Sequence, residues 1–212
     1  MIWVERLDDM KVIGIAGGTA SGKSYITNQV IEQLQLHHTI IKIGLDDYYK
    51  LQANKTYEER CLTNYDHPSA FDFYMLVQHI KELKSGKSIL KPTYDYTIHN
   101  RSNITEKVSP ADILVLEGLF TLQDTNLFKE CDYTIYIDAV DDIRFIRRLQ
   151  RDMKERARSV ESVIDQYLTT VKPMHDLYIA PSKNKADLVI DNSTNEKVDI
   201  EAIVSKIESI LL

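Results

Sequence analysis

The chain is poor in cysteine, poor in net positive charge and without a long apolar run, and each shortage removes a class of function. Cys61 and Cys131 are its two cysteines in 212 residues, with neither metal-ligand nor redox spacing, which does not suggest a disulfide scaffold and points to a reducing, cytoplasmic setting. No apolar stretch approaches the roughly 20 residues of a membrane span, and the N-terminal MIWVERLDDMK is charged too early for a signal-peptide core. Neither export nor a membrane partner is expected. With 26 basic against 32 acidic residues the net charge is -6, so broad electrostatic capture of nucleic acid is excluded and any positive site must be local. Repeats, low-complexity tracts and flexible linkers are also missing. One domain spanning residues 1–212 is the expectation.

Hydrophobic residues make up 43%, enough for a sizeable core. Short apolar runs recur at 12–16, 39–44, 113–116, 133–137 and 188–190, as buried parallel strands do. Between them, 24–36, 141–158, 161–171 and 198–211 suit helices. Phe71, Met75, Leu76, His79, Ile80 and Leu83 fall on one helical face, and Ser69 followed by Asp72 predicts a capping box that starts that helix. The alternation predicts an α/β fold with a parallel sheet and helices on both faces. Residues 86–108, polar and rich in Thr, Tyr and Asn, interrupt it and predict a small antiparallel flap on the sheet's ligand edge.

Gly17-Gly18-Thr19-Ala20-Ser21-Gly22-Lys23-Ser24 fits the P-loop pattern. The glycines let successive N–H groups point at phosphate oxygens, Lys23 reaches the terminal phosphates, and Ser24 offers its hydroxyl to magnesium. Ordinary residue usage gives the pattern in about one in a hundred chains of this length. The strand VIGIA before it and the helix after it make the reading specific: the chain binds a nucleoside triphosphate. No Asn/Thr-Lys-x-Asp guanine-reading motif is present, so a GTPase switch fits poorly.

Four polar clusters bear on what receives the phosphate. LDDYYK (45–50) follows the second strand, at the edge where such folds bind ligands; its carboxylates suit either a general base or a capped turn. NYDHPSAFD (64–72) precedes the capped helix. PTYDYTIHNR (92–101) reads either as a half-buried strand or as a pocket wall for something flat and polyhydroxylated. Arg144, Arg147, Arg148, Arg151, Arg156 and Arg158 form a run that suits either a solvated helix face or phosphate oxygens. His37, His38, His67, His79 and His175 lack ligand spacing and receive no catalytic role.

These stretches, with LEG (116–118), RRLQRDMKER (147–156), QYLTTVKPMH (166–175) and APSKNKADLVI (180–190), resemble the uridine kinase family of P-loop kinases, in the family's order and across about residues 12–190. The resemblance implies a P-loop NTPase-type sheet with a flap at about 86–108 and a helical lid at about 144–160. It also implies transfer of the terminal phosphate of ATP or GTP to the 5'-hydroxyl of uridine or cytidine, with Mg2+. By the same resemblance Asp46 is the catalytic carboxylate and Lys23 the phosphate-gripping lysine. Arg151 and Arg156 are lid arginines, and Ser24 and Glu117 hold the metal. Tyr49, Asp66, Tyr94, His99, Arg148, Arg158 and Gln166 contact the nucleoside: Asp66 at the ribose hydroxyls, Tyr94 and His99 at the base. The partner implied is a small-molecule nucleoside, and the assembly a homo-oligomer, commonly a tetramer.

Three departures stand out. Leu45 replaces the glutamine usual before the catalytic aspartate, Ala157 replaces a lid glycine, and DNSTNEK (191–197) stands where the family has a glycine-rich loop near the donor base. They leave open a divergent relative, either a kinase for another small molecule or a nucleotide-binding sensor without turnover.

Overall fold

The computed structural model describes residues 10–194 and 196–211. The N-terminal reading rests mainly on residues 1–9, which lie outside the described residues, as does Asn195 of DNSTNEK.

In chain order the elements are β1 (Lys11–Gly17), α1 (Lys23–Leu34), β2 (Ile40–Gly44), α2 (Tyr57–Cys61), α3 (Phe73–Lys84), β3 (Ile89–Asp95), β4 (Asn100–Val108), β5 (Ile113–Glu117), α4 (Thr125–Phe128), β6 (Tyr133–Asp138), α5 (Asp141–Arg156), α6 (Val160–Gln166), α7 (Lys172–Met174), α8 (Ala180–Ser182), β7 (Leu188–Asp191) and α9 (Ile200–Glu208). Five strands form one parallel sheet in the order β2-β5-β1-β6-β7, and β3 pairs with β4 as a separate antiparallel hairpin. All five expected strands are present, and the expected flap is the hairpin.

The strand residues alternate between two cores. Val12 and Ala16 of β1 and Leu114 and Leu116 of β5 face the layer that holds Leu76, Ile80 and Leu83 of α3. Ile13 and Ile15, with Ile113 and Val115, face the layer of α1 and α9, where Ile26, Val30, Leu34, Ile203 and Ile207 are buried. Each fully buried Leu or Ile contributes about 2 kcal/mol of transfer free energy, so both faces of the sheet must be covered. The central strand β1 is thereby fixed on both sides and both faces. Its C-terminal end is a rigid place to hang a loop.

Two local expectations need correcting. Helix α3 is capped by Asp72 itself, whose side chain accepts from Met75 N at 3.1 Å, while Ser69 lies in a short 3-10 turn and takes no part. Phe71 therefore precedes the helix; it is buried and bridges to Tyr49. A genuine capping box starts α2, where Thr56 Oγ1 accepts from Glu59 N and Glu59 Oε2 accepts from Thr56 N. The helix expected over 161–171 is the first part of a longer run that continues to Lys185 through two wide turns, Tyr167–Val171 and His175–Ile179. Each ends just before a proline. Pro173 and Pro181 have no N–H for the carbonyl four residues back and their rings crowd it, so the chain widens to an i→i+5 turn before each.

Candidate active site

The loop after β1 turns sharply into α1. Gly22 has φ +89°, and a Cβ there would lie 2.2 Å from Asn192 Nδ2, which donates to Ser21 O at 2.8 Å. The left-handed backbone favours glycine here, and any side chain would also have to displace Asn192. No side chain caps α1, which leaves its first N–H groups free for an anion. Beside them Ser24 donates to Glu117 Oε1 at 2.5 Å, Lys23 Nζ lies 3.4 Å from the same oxygen, and Lys42 Nζ is 2.9 Å from Oε2. Burial alone would raise the Glu117 pKa, but the Lys23 charge, the Ser24 hydrogen bond and Lys42 together hold it below the ordinary value.

A hydroxyl beside an ionised carboxylate is the oxygen donor set that Mg2+ prefers. Among the described residues there is no cluster of three or more His, Cys, Asp or Glu side chains that could cage an ion. Mg2+ beside a nucleotide is commonly held by one or two protein groups, with phosphate oxygens and water completing its shell. Ser24 and Glu117 fit the ion.

Past β2, the turn Leu45–Tyr48 sorts its two aspartates. Asp47 pairs with Lys91 Nζ at 2.5 Å, whereas Asp46 opens into the cleft, where the Tyr96 hydroxyl donates to its Oδ2 at 3.5 Å. Asp46 is exposed at the surface of the cleft, yet it has protein on several sides. This crowding pushes its pKa up; the Lys23 charge opposes the shift, while Glu117, Asp47 and Asp66 add to it. Leu45 is buried, packs on Gly118 and reaches the lining of the cleft, so an apolar side chain stands there in place of the expected glutamine.

An aromatic wall faces Asp46. Tyr49 stacks on Phe71 at 4.4 Å and meets Tyr65 at 5.1 Å and Tyr94 at 4.9 Å, while Tyr65 stacks with His99 at 5.8 Å. The Tyr94 hydroxyl is buried without a protein partner, and burial raises its pKa. Arg101 fastens the hairpin to the turn that carries Asp46. Its Nε donates to Tyr49 O at 2.6 Å and its Nη2 to Asp72 Oδ2 at 3.1 Å. Asp66 is half-buried at the same end; burial raises its pKa against the pull of Arg148 and Arg156.

Apart from Arg156, which stays exposed, the arginine run does not lie on a solvated face. Asp152, with no exposed surface, gathers Arg148, Arg151, Arg156 and Arg158 at 3.6, 2.9, 3.4 and 4.0 Å. Arg148 also donates to Thr19 Oγ1 and Gln166 Oε1, both at 2.9 Å, and Arg158 donates to the same Gln166 oxygen. Helix α5 is thus tied to the P-loop. The whole arrangement surrounds one cleft of about 1220 Å³, more than the roughly 300–1,000 Å³ of a single small-molecule pocket.

The profile of the Phosphoribulokinase / Uridine kinase family matches residues 12–199. The chain belongs to this family. A protein named uridine kinase from Staphylococcus aureus (strain Newman) is 46% identical over 200 residues, 94% of this chain and 96% of that one. Two solved structures share the fold at low identity. D-glycerate 3-kinase from Cryptococcus neoformans has a TM-score of 0.66 at 17% identity, covering 87% of each chain. Phosphoribulokinase from Rhodobacter spheroides has a TM-score of 0.61 at 16% identity, covering 88% of this chain and 74% of that one.

In this phosphoribulokinase / uridine kinase chain every candidate residue named from the sequence lines the cleft except Gly17 and, from the arginine run, Arg144. Gly17 lies behind the loop, where a side chain would meet Ile137 O at 2.3 Å. Sequence reasoning gave no role to Lys42, Tyr65, Tyr96 or Asp152. Lys42 carries no local signal, whereas Tyr65 and Tyr96 lie inside the quoted NYDHPSAFD and PTYDYTIHNR and could have been suspected. Arg144 belongs elsewhere: it is buried behind the loop, donating to Ala139 O at 3.0 Å and paired with Asp141.

Proposed function

We propose that this chain is a pyrimidine nucleoside kinase that transfers the terminal phosphate of ATP or GTP to the 5'-hydroxyl of uridine or cytidine, giving UMP or CMP. The observation that carries the reading is the position of Asp46, in one cleft between the phosphate cradle at Lys23 and Ser24 and the aromatic wall beside Asp66. The 46% identical relative named uridine kinase supports the substrate class.

Glycines and amides of residues 17–24 cradle the triphosphate, with Lys23 on its terminal oxygens. Asp66 accepts from the two ribose hydroxyls, a pairing a single carboxylate can make. Tyr94 and His99 hold the base, with Tyr49, Arg148, Arg158 and Gln166 beside the nucleoside. Asp46 accepts the 5'-hydroxyl proton as that oxygen bonds to the terminal phosphorus and the bond from phosphorus to the donor's bridging oxygen breaks. Its raised pKa makes it a stronger base than an ordinary aspartate. Arg151 and Arg156, closing from α5, stabilise the charge on the transferring group and exclude water. Ser24 and Glu117 would hold Mg2+, which would neutralise phosphate charge. The chain works as a single kinase domain, residues 1–212, with flap 86–108 and lid 144–160. It serves pyrimidine salvage in the cytoplasm as a homo-oligomer.

The test is a coupled phosphate-transfer assay with magnesium and ATP or GTP against uridine, cytidine, adenosine, pantothenate and ribulose 5-phosphate. Turnover confined to uridine and cytidine is expected, and the donor arms report ATP against GTP. Turnover of pantothenate or ribulose 5-phosphate instead, or of nothing while triphosphate still binds, would overturn the reading.

A further inference from the structure

The tip of the β3–β4 hairpin, residues 96–99, is gripped from outside by the segment that follows the Asp46 turn. Arg60 Nε donates to Ile98 O at 3.0 Å while its Nη1 donates to Lys55 O at 2.8 Å. The Tyr65 hydroxyl lies 3.1 Å from both His99 O and Arg60 O, donating to one at a time, and accepts from Gln52 Nε2 at 2.8 Å. The Gln52 N–H donates to Asn100 Oδ1 at 2.9 Å. Three consecutive residues of the hairpin, Ile98, His99 and Asn100, are each held by a different donor.

The middle one needs holding. His99 has φ +50°, a left-handed conformation that costs an L-residue about 1 kcal/mol and is rare outside sites where the surroundings enforce it. The stack of Tyr65 on the imidazole, with 23° between planes, fixes the ring as the hydrogen bonds fix the backbone. Arg60 is not a core strut, because no residue of α2 is buried. It does not line the cleft either.

We propose that Arg60, backed by Tyr65 and Gln52, is a positioning clasp that fixes His99 at the base-reading end of the cleft and so sets affinity for the nucleoside base. This rests on the pyrimidine nucleoside reading above. Arg60 acts through the Ile98 carbonyl and touches neither substrate nor donor.

The experiment is steady-state kinetics of the full chain with Mg-ATP and uridine, alongside 1-O-methyl-riboside as a 5'-hydroxyl acceptor without a pyrimidine. Arg60→Ala should raise the KM for uridine about tenfold, with kcat and the KM for ATP within about twofold, the pattern of lost ground-state binding. The KM for the riboside should not move. Arg60→Lys should recover part of the loss, since an ammonium can still donate to Ile98 O. Tyr65→Phe keeps the ring stack and loses the hydroxyl, so it should show a smaller rise of the same kind. A uridine KM unchanged in Arg60→Ala, or one matched by equal losses in kcat, ATP and riboside, would overturn the clasp. Wild-type turnover of uridine belongs to the kinase reading alone: its absence defeats that reading and the clasp with it, whereas its presence leaves the variant pattern to judge the clasp.

Discussion

At the phosphate end of the cleft, Gly18 to Ser24 are one contiguous stretch strung between β1, paired on both sides, and the buried helix α1. At the nucleoside end, Tyr49, Asp66, Tyr94 and His99 come from three separate segments, two of them on a hairpin outside the main sheet. The first end is positioned by the core; the second is positioned by hydrogen bonds such as those of Arg101 and Arg60. Rigid phosphate recognition fits a fold whose triphosphate site is common to many reactions. An assembled acceptor site can change its substrate by changing a few contacts.

The largest expected effect lies where the two ends meet. Asp46→Asn should lower kcat by at least ~10²-fold while triphosphate binding persists, because the proposed general base is lost and the cradle is not. Near-normal turnover would break the division. The pH profile sharpens it. Asp46 must be ionised to accept a proton, and its folded pKa is raised, so kcat/KM should climb through an acid limb above the ordinary aspartate pKa of 3.8. Stability follows with the opposite benefit. Between 3.8 and the raised folded value the native state holds more protons than the unfolded chain, so ionising Asp46 costs stability as pH rises. Asp46→Asn should therefore be more stable than wild type at pH 8, with the gain vanishing towards pH 3, as thermal unfolding at both pH values would show. No difference at pH 8 would mean that the carboxylate carries no such cost.

A smaller effect tests the hinge between the ends. Asp152→Asn keeps the shape at the centre of four arginines and removes the charge that gathers them. With the guanidinium groups left mutually repelling, kcat should fall about tenfold and Tm should drop. Stopped-flow single turnover separates a slower transfer step from slower release. An unchanged kcat would assign the cluster to stability and leave the arginines acting one by one.

How much of this could be read from the sequence follows the same division. The cradle was legible because its geometry is encoded in eight adjacent residues, and Asp46 because it follows the strand next to β5. The family stretches placed Tyr94, His99 and Gln166 in one cleft although they are far apart in the chain. Asp152 escaped because an aspartate among arginines at helical spacing reads as a surface pair, whereas the fold closes four guanidinium groups round it. Arg60 and Tyr65 escaped because their partners lie 38 and 34 residues away and are main-chain carbonyls, which leave no mark in a sequence. Ser69 misled because the cap pattern recurs three residues before the true cap.

The smallest expected effect sits at Ala157, between α5 and α6. It ends α5 with φ +51° and ψ +34°, the left-handed cap conformation for which glycine is the usual residue. An alanine there stores about 1 kcal/mol of strain, while glycine would cost about 0.5 kcal/mol more in unfolded-chain entropy. The difference is small but favours glycine, so Ala157→Gly should raise Tm by about 1 to 2 °C. The N–H groups of Ala157 and Arg158 both donate to Asp152 O, so the turn is tied to the residue that organises the arginines. If closure of this lid limits turnover, the glycine variant should also raise kcat without moving the KM for uridine. A higher Tm with unchanged kcat would make Ala157 a strained joint that does not gate the reaction, and a lower Tm would show that its methyl group holds the joint through packing that outweighs the strain.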